Sequence, residues 1–127
     1  MPILFLIGRI ILGGYFVYSG YNHFAHVGNL TGYAQSKGVP MAKAGVIVSG
    51  ITLLLGGLSI LLGFMPYVGL WILIATMFVM TVMMHRFWSV TDPMQKMNEM
   101  ISFNKNFAII GGLLMLFAVA TPWMMAI

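Results

Sequence analysis

From Ala44 to Met84 the chain carries no acidic, basic or histidine side chain. A membrane-spanning helix takes about 20 residues, so this uncharged run is long enough for two crossings. It is interrupted once, at Gly63-Phe64-Met65-Pro66. Glycine ends a helix readily and proline starts one, so the run predicts two spans, about 44–63 and 66–88, joined as a tight antiparallel hairpin. Ile3 to Phe24 forms another apolar segment with one charge, Arg9, and Asn106 to Trp123 forms a fourth. Charged residues make up 6% of the 127 and mean hydropathy is +0.99, whereas soluble domains carry about a quarter charged residues. Too few charges remain to coat a globule in water, so the bilayer is the solvent for most of the chain. These features predict an all-α integral membrane four-helix bundle with antiparallel up-down topology, one unit over 1–127, with spans at about 3–24, 44–63, 66–88 and 106–123.

The composition also excludes function classes. With no cysteine there is no disulfide framework, thiolate metal site, protein-ligated iron–sulfur cluster or dithiol relay in this chain. The net charge of +4 comes from six basic residues scattered between the apolar segments, not from a stripe that would bind nucleic acid. The first segment lacks the cleavage-site pattern of a signal peptide and reads as a span. Two connections, His26 to Lys43 and Ser89 to Asn104, hold nearly all the remaining polarity. In the second, Met94, Met97, Met100 and Ile101 alternate with Lys96, Asn98 and Glu99, as in a short segment lying in the membrane interface or an ordinary structured loop. Lys37, Lys43, Arg86, Lys96 and Lys105 fall on the side of these connections, against Arg9 toward the other. The positive-inside rule then puts the connections in the cytoplasm and both termini outside.

Small residues mark where helices approach in lipid. In the second span Gly45, Ser49, Thr52, Gly56, Ser59 and Gly63 recur at steps of three and four and share one face, either a packing seam or the wall of a ligand groove. The first span offers Arg9, Gly13, Phe16, Gly20 and His23 at the same spacing, and the third Trp71, Ala75, Phe78, Val82 and His85. The first and third spans run in the same direction, so His23 and His85 sit at similar depth on the side of the long connections. Arg86, Trp88 and Lys105 would join them there. The histidines, His26 included, read either as interfacial hydrogen-bonding groups, as a headgroup site for a small polar or quinone-like ligand, or as metal or haem ligands; the spacing supports no metal assignment. Arg9, about 21 Å along the helix from His23, belongs to the opposite leaflet. It either snorkels or pairs with carbonyls, or it meets an anion or quinone oxygen inside the bundle. No nucleophile elbow, phosphate loop or catalytic carboxylate pair occurs, so the chain is not expected to catalyse a reaction alone.

Taken in order, Arg9, Gly20-x-x-His23, Gly38-Val39-Pro40, Gly56-Gly57-Leu58 with Gly63-Phe64, His85, and Lys105-Asn106 before Gly111-Gly112 resemble the DoxX family. That resemblance implies a small four-helix protein of the bacterial or archaeal inner membrane. The family name comes from the membrane subunit of a thiosulfate:quinone oxidoreductase, and some relatives are linked to oxidative-stress complexes. It implies a membrane subunit in which Arg9, His23 and His85, with Arg86 and Lys105 at the same boundary, contact a ligand such as a quinone while soluble redox partner proteins supply the redox centres. The chain departs from the family pattern in having His23 where lysine is frequent, and Leu53 near a place where glutamate is common. The other reading is a non-enzymatic membrane scaffold or small-molecule carrier, with homo-oligomers formed through the glycine-rich faces.

Overall fold

The computed structural model describes residues 2–85, 87–119 and 121–123. Five helices follow in order: α1 Pro2–Ala25, α2 Val27–Ser36, α3 Ala42–Leu62, α4 Pro66–Met84 and α5 Pro93–Met115, with single 3-10 turns at Phe87–Ser89 and Leu116–Ala118. In hydrocarbon a backbone must satisfy its own hydrogen bonds, and an apolar chain does so as helix. Four helices, α1, α3, α4 and α5, are long and apolar enough to cross a membrane. The 21 residues of α3 span about 32 Å, the thickness of a bilayer core.

The α3–α4 hairpin is built as its residues dictate. Gly63 takes the left-handed conformation at φ 68° and its N–H bonds the Ser59 carbonyl, closing α3. Pro66 opens α4 at its first turn. The Ser59 hydroxyl reaches the carbonyls of Phe64 (2.6 Å) and Met65 (3.1 Å), tying the turn to the helix that precedes it.

The other connections differ from the sequence reading. The first contains α2, a ten-residue helix lying against α3. In the second, the fourth span does not begin at Asn106: α5 starts at Pro93 and runs unbroken through the polar stretch, and its regular structure stops at Ala118. The cause is local. The Asp92 carboxylate accepts from Gln95 N at 3.0 Å and Pro93 occupies the first turn, a complete helix start.

The helices pack in a row, α1 on α3, α3 on α4 and α4 on α5. α3 carries two seams. A Cβ at Gly57 would lie 2.9–3.0 Å from Val17 N, Gly13 O and Phe16 Cβ, and one at Gly20 would lie 2.9 Å from Gly50 O, so Gly13 and Gly20 lie against Gly50 and Gly57 in backbone contact. Toward α4, Gly56 meets Leu73 and Gly69 meets Ser59, and Thr76 donates to Thr52 at 2.8 Å. Of the α1 face expected to pack, Arg9, Gly13, Phe16 and Gly20 are buried, and His23 at its end is half-buried. The α4 face is corrected. Gly69, Leu70, Leu73, Met77 and Thr81 are buried, while Trp71 and Phe78 point outward, 61% and 51% exposed. Hydrocarbon accepts aromatic rings freely, and Trp71 instead packs on Phe117 in the turn after α5 and Phe78 on Phe107 of α5. The common core comprises Phe16, Leu53, Ile60, Leu70, Leu73, Met77, Ile110, Leu113 and Trp123.

Candidate functional site

Beyond Thr52 and Thr76, toward the end where α2 lies, α3 and α4 enclose a half-open cavity of about 490 Å³ with α2 along one side. Its wall is mainly apolar: Leu30 and Ala34 from α2, Val46 and Val48 from α3, Val79, Met80 and Met83 from α4. The small-residue face of α3 therefore does two jobs. Gly56 and Ser59 pack against α4, and Gly45, Ser49 and Thr52 line the cavity.

The polar lining consists of His23, Tyr33, Ser49, Thr52, Thr76 and His85. His23, at the end of α1, donates Nδ1–H to the Ser19 carbonyl one turn back, at 2.7 Å. His85 follows the last turn of α4 and donates Nδ1–H to Glu99 Oε2 at 3.0 Å. A carbonyl and an ionised carboxylate only accept, so in both rings Nδ1 bears a hydrogen and the neutral tautomer is Nδ1–H. Glu99 gathers the corner of the site. Its Oε1 accepts from the Tyr33 hydroxyl at 2.6 Å, and Lys37 Nζ lies 3.6 Å from Oε2. One carboxylate thus joins α2, the end of α4 and α5. Burial, then the hydrogen bond to Glu99 and the repulsion of its charge, push the Tyr33 phenol above its ordinary range. Tyr33 is a neutral donor at physiological pH.

The structure brings His23 and His85 to one cavity and separates the rest of the expected set. Arg9 is 2% exposed. Its Nε donates to Ile60 O at 3.1 Å and Nη2 to Leu61 O at 2.9 Å, the last carbonyls of α3, so the guanidinium caps a helix C-terminus and balances its dipole. Phe5 and Trp123 flank it with ring centroids 5.7 and 5.8 Å away. Arg9 also borders a second cavity, of about 260 Å³, between α1, α3 and α5 at the opposite end. Lys105 does not join the histidines. It is exposed, and because α5 starts early it is Glu99 that lies level with His85, with Lys105 six residues further, about 9 Å down the helix. Trp88 packs on Phe87 and Phe103 outside the cavity, and His26 is exposed. Arg86 lies outside the described residues. Among the described residues no three His, Cys, Asp or Glu side chains are grouped to hold a metal.

Glu99, Tyr33 and Lys37 were not expected at the site. Glu99 was legible as one of two acidic residues in the chain and as a polar position in the Met94–Ile101 stretch. An acid that scarce, in a chain with six Lys and Arg, has few places to go, but nothing in spacing names Tyr33, 66 residues away, as its partner.

The family model described as DoxX matches residues 4–86, well over half of the chain and covering α1 to α4. No curated protein and no solved structure matches it.

Proposed function

The chain belongs to the DoxX family, and from that premise we propose that this multi-pass membrane protein holds a quinone-like ligand as the membrane subunit of a quinone-linked electron-transfer or oxidative-stress system. The observation that carries this reading is the single cavity shared by His23 and His85. Its apolar wall suits the ring and the start of a lipid tail, and its polar end offers imidazoles already oriented by Ser19 and Glu99. The protein's part is to bind and orient the head and to keep it out of the hydrocarbon. In this reading soluble partner proteins supply the electrons. The membrane is the inner membrane of a bacterium or archaeon, with the histidine end in the cytoplasm, where the basic residues collect.

The test is binding. Purified protein in lipid nanodiscs is titrated with a decyl-tailed benzoquinone and its hydroquinone under anaerobic conditions. Saturable binding of at least one of the pair supports the proposal. His23→Ala and His85→Ala should each weaken it about fivefold to tenfold, the equivalent of one hydrogen bond, with melting temperature retained. No binding of either form would overturn it. A carrier role draws on the same half-open wall, where Gly45, Val48, Ala75 and Val79 are exposed. Ligand flux across liposomes that scales with protein content would favour it over a fixed subunit.

A further inference from the structure

The polar lining of the large cavity shares one property: its hydrogens are already used. Ser49 Oγ–H is directed at the carbonyls of Gly45 (2.8 Å) and Val46 (3.1 Å). Thr52 donates to Ser49 O at 2.9 Å and Thr76 donates to Thr52 Oγ1 at 2.8 Å. Tyr33 donates to Glu99, and each histidine gives its Nδ1–H to an oxygen that can only accept. What these groups leave over are lone pairs, on Nε2 of each imidazole in its Nδ1–H tautomer and on the hydroxyl oxygens. We propose that the cavity is built for the hydroxyl-bearing form of its ligand, a hydroquinone or phenol head on an apolar body, and discriminates against the oxidised carbonyl form. This rests on the cavity being the ligand site. A hydroxyl pointed at Nε2 completes a hydrogen bond, whereas a quinone carbonyl there sets acceptor against acceptor and leaves both unsatisfied. A cationic donor such as an amine fits less well, because Lys37 stands beside the carboxylate that would attract it. Glu99 is the positioning residue: it fixes the tautomer of His85 and so the sign of the preference.

Three ligands with one decyl tail test this on nanodisc-embedded protein: the hydroquinone, the quinone and the hydroquinone dimethyl ether, which keeps the shape and loses the donors. The hydroquinone is expected to bind about tenfold or more tightly than either of the others, the worth of one to two hydrogen bonds. Equal affinities, or tighter binding of the quinone, would overturn the inference and leave the ligand site standing. No binding of any of the three would overturn both. Imidazole ¹⁵N shifts of the wild-type protein give a second reading that needs no variant. His23 and His85 should carry the proton on Nδ1 when neutral, and a protonated Nε2 with bare Nδ1 on His85 would refute it. In Glu99→Ala, with helix content and melting checked, the His85 tautomer should mix and the hydroquinone preference shrink. An undiminished preference would remove Glu99 from its role.

Discussion

Replacing Gly57 by alanine adds one methyl where α1 and α3 touch. The new Cβ would meet Val17 N at 2.9 Å, Gly13 O at 3.0 Å and Phe16 Cβ at 3.0 Å. Two of these atoms are backbone and cannot swing aside as a side-chain tip would, so α1 must move away along the seam. Moving it loosens the contacts at Gly13 and Phe16 and strains the bonds from Arg9 to the end of α3. Overpacking of this kind costs about 1–3 kcal/mol. The same substitution at Gly14 meets nothing within 4 Å. There alanine should be neutral or stabilise by up to about 1 kcal/mol, since glycine is the poorer helix former. Reversible unfolding in mixed micelles, followed by circular dichroism, compares the two variants with wild type. Gly57→Ala should be the less stable by at least about 1 kcal/mol relative to Gly14→Ala, a difference worth about fivefold in the unfolding equilibrium. Equal stabilities would refute the backbone contact between α1 and α3.

Three further substitutions probe the bundle's two ends. Arg9→Met keeps most of the stem but leaves the Ile60 and Leu61 carbonyls without these donors, and should destabilise the protein by about 1–3 kcal/mol in the same assay while leaving hydroquinone affinity at the far cavity unchanged. Tyr33→Phe removes the 2.6 Å bond to Glu99 and should speed amide hydrogen exchange in α2 well before α3 or α4 is affected. Because the folded state raises the phenol above its ordinary 10.0, the stability that Tyr33 contributes is fully present below pH 10 and declines as the pH rises beyond it; the gap between wild type and Tyr33→Phe, measured from pH 7 to 11, should hold and then narrow. Asp92→Ala removes the cap of α5 and should fray its first turns at a cost of about 1 kcal/mol, read as faster exchange of the amides of Met94–Asn98 alone.

The spans were legible because hydrocarbon leaves little choice: an uncharged run with one glycine–proline break can only be a helical hairpin, and Gly63 and Pro66 close and open its helices as that break predicts. The α1 face was equally plain, since Arg9, Gly13, Phe16 and Gly20 repeat at helical steps and are buried. On α4 the same rule selected the wrong face, because in lipid an aromatic stripe gains little by turning inward, and the close approach at Gly69 decided the rotation. The pairing of Gly13 and Gly20 with Gly50 and Gly57 lay in the sequence as two seven-residue steps. It was masked by the longer stripe beside it. The start of α5 was hidden by polarity, although Asp92-Pro93 announces a helix, because a span is sought by hydropathy and this helix begins before its apolar part. The histidine pair followed from topology alone. The Glu99 corner did not, because it joins three elements and exists only once they pack.

Among the described residues one cavity lies beside His23 and His85 and another, at the opposite end, beside Arg9, and only the first is read as the ligand site. A decyl-tailed hydroquinone carrying a photoreactive group, activated in nanodiscs and mapped by peptide mass spectrometry, separates them directly. The account predicts adducts on α2, on the first half of α3 and on Ala75–His85, competed away by unlabelled hydroquinone. Competed labelling of Leu4–Leu12 and Ile109–Leu116 instead would move the site to the Arg9 end and contradict it.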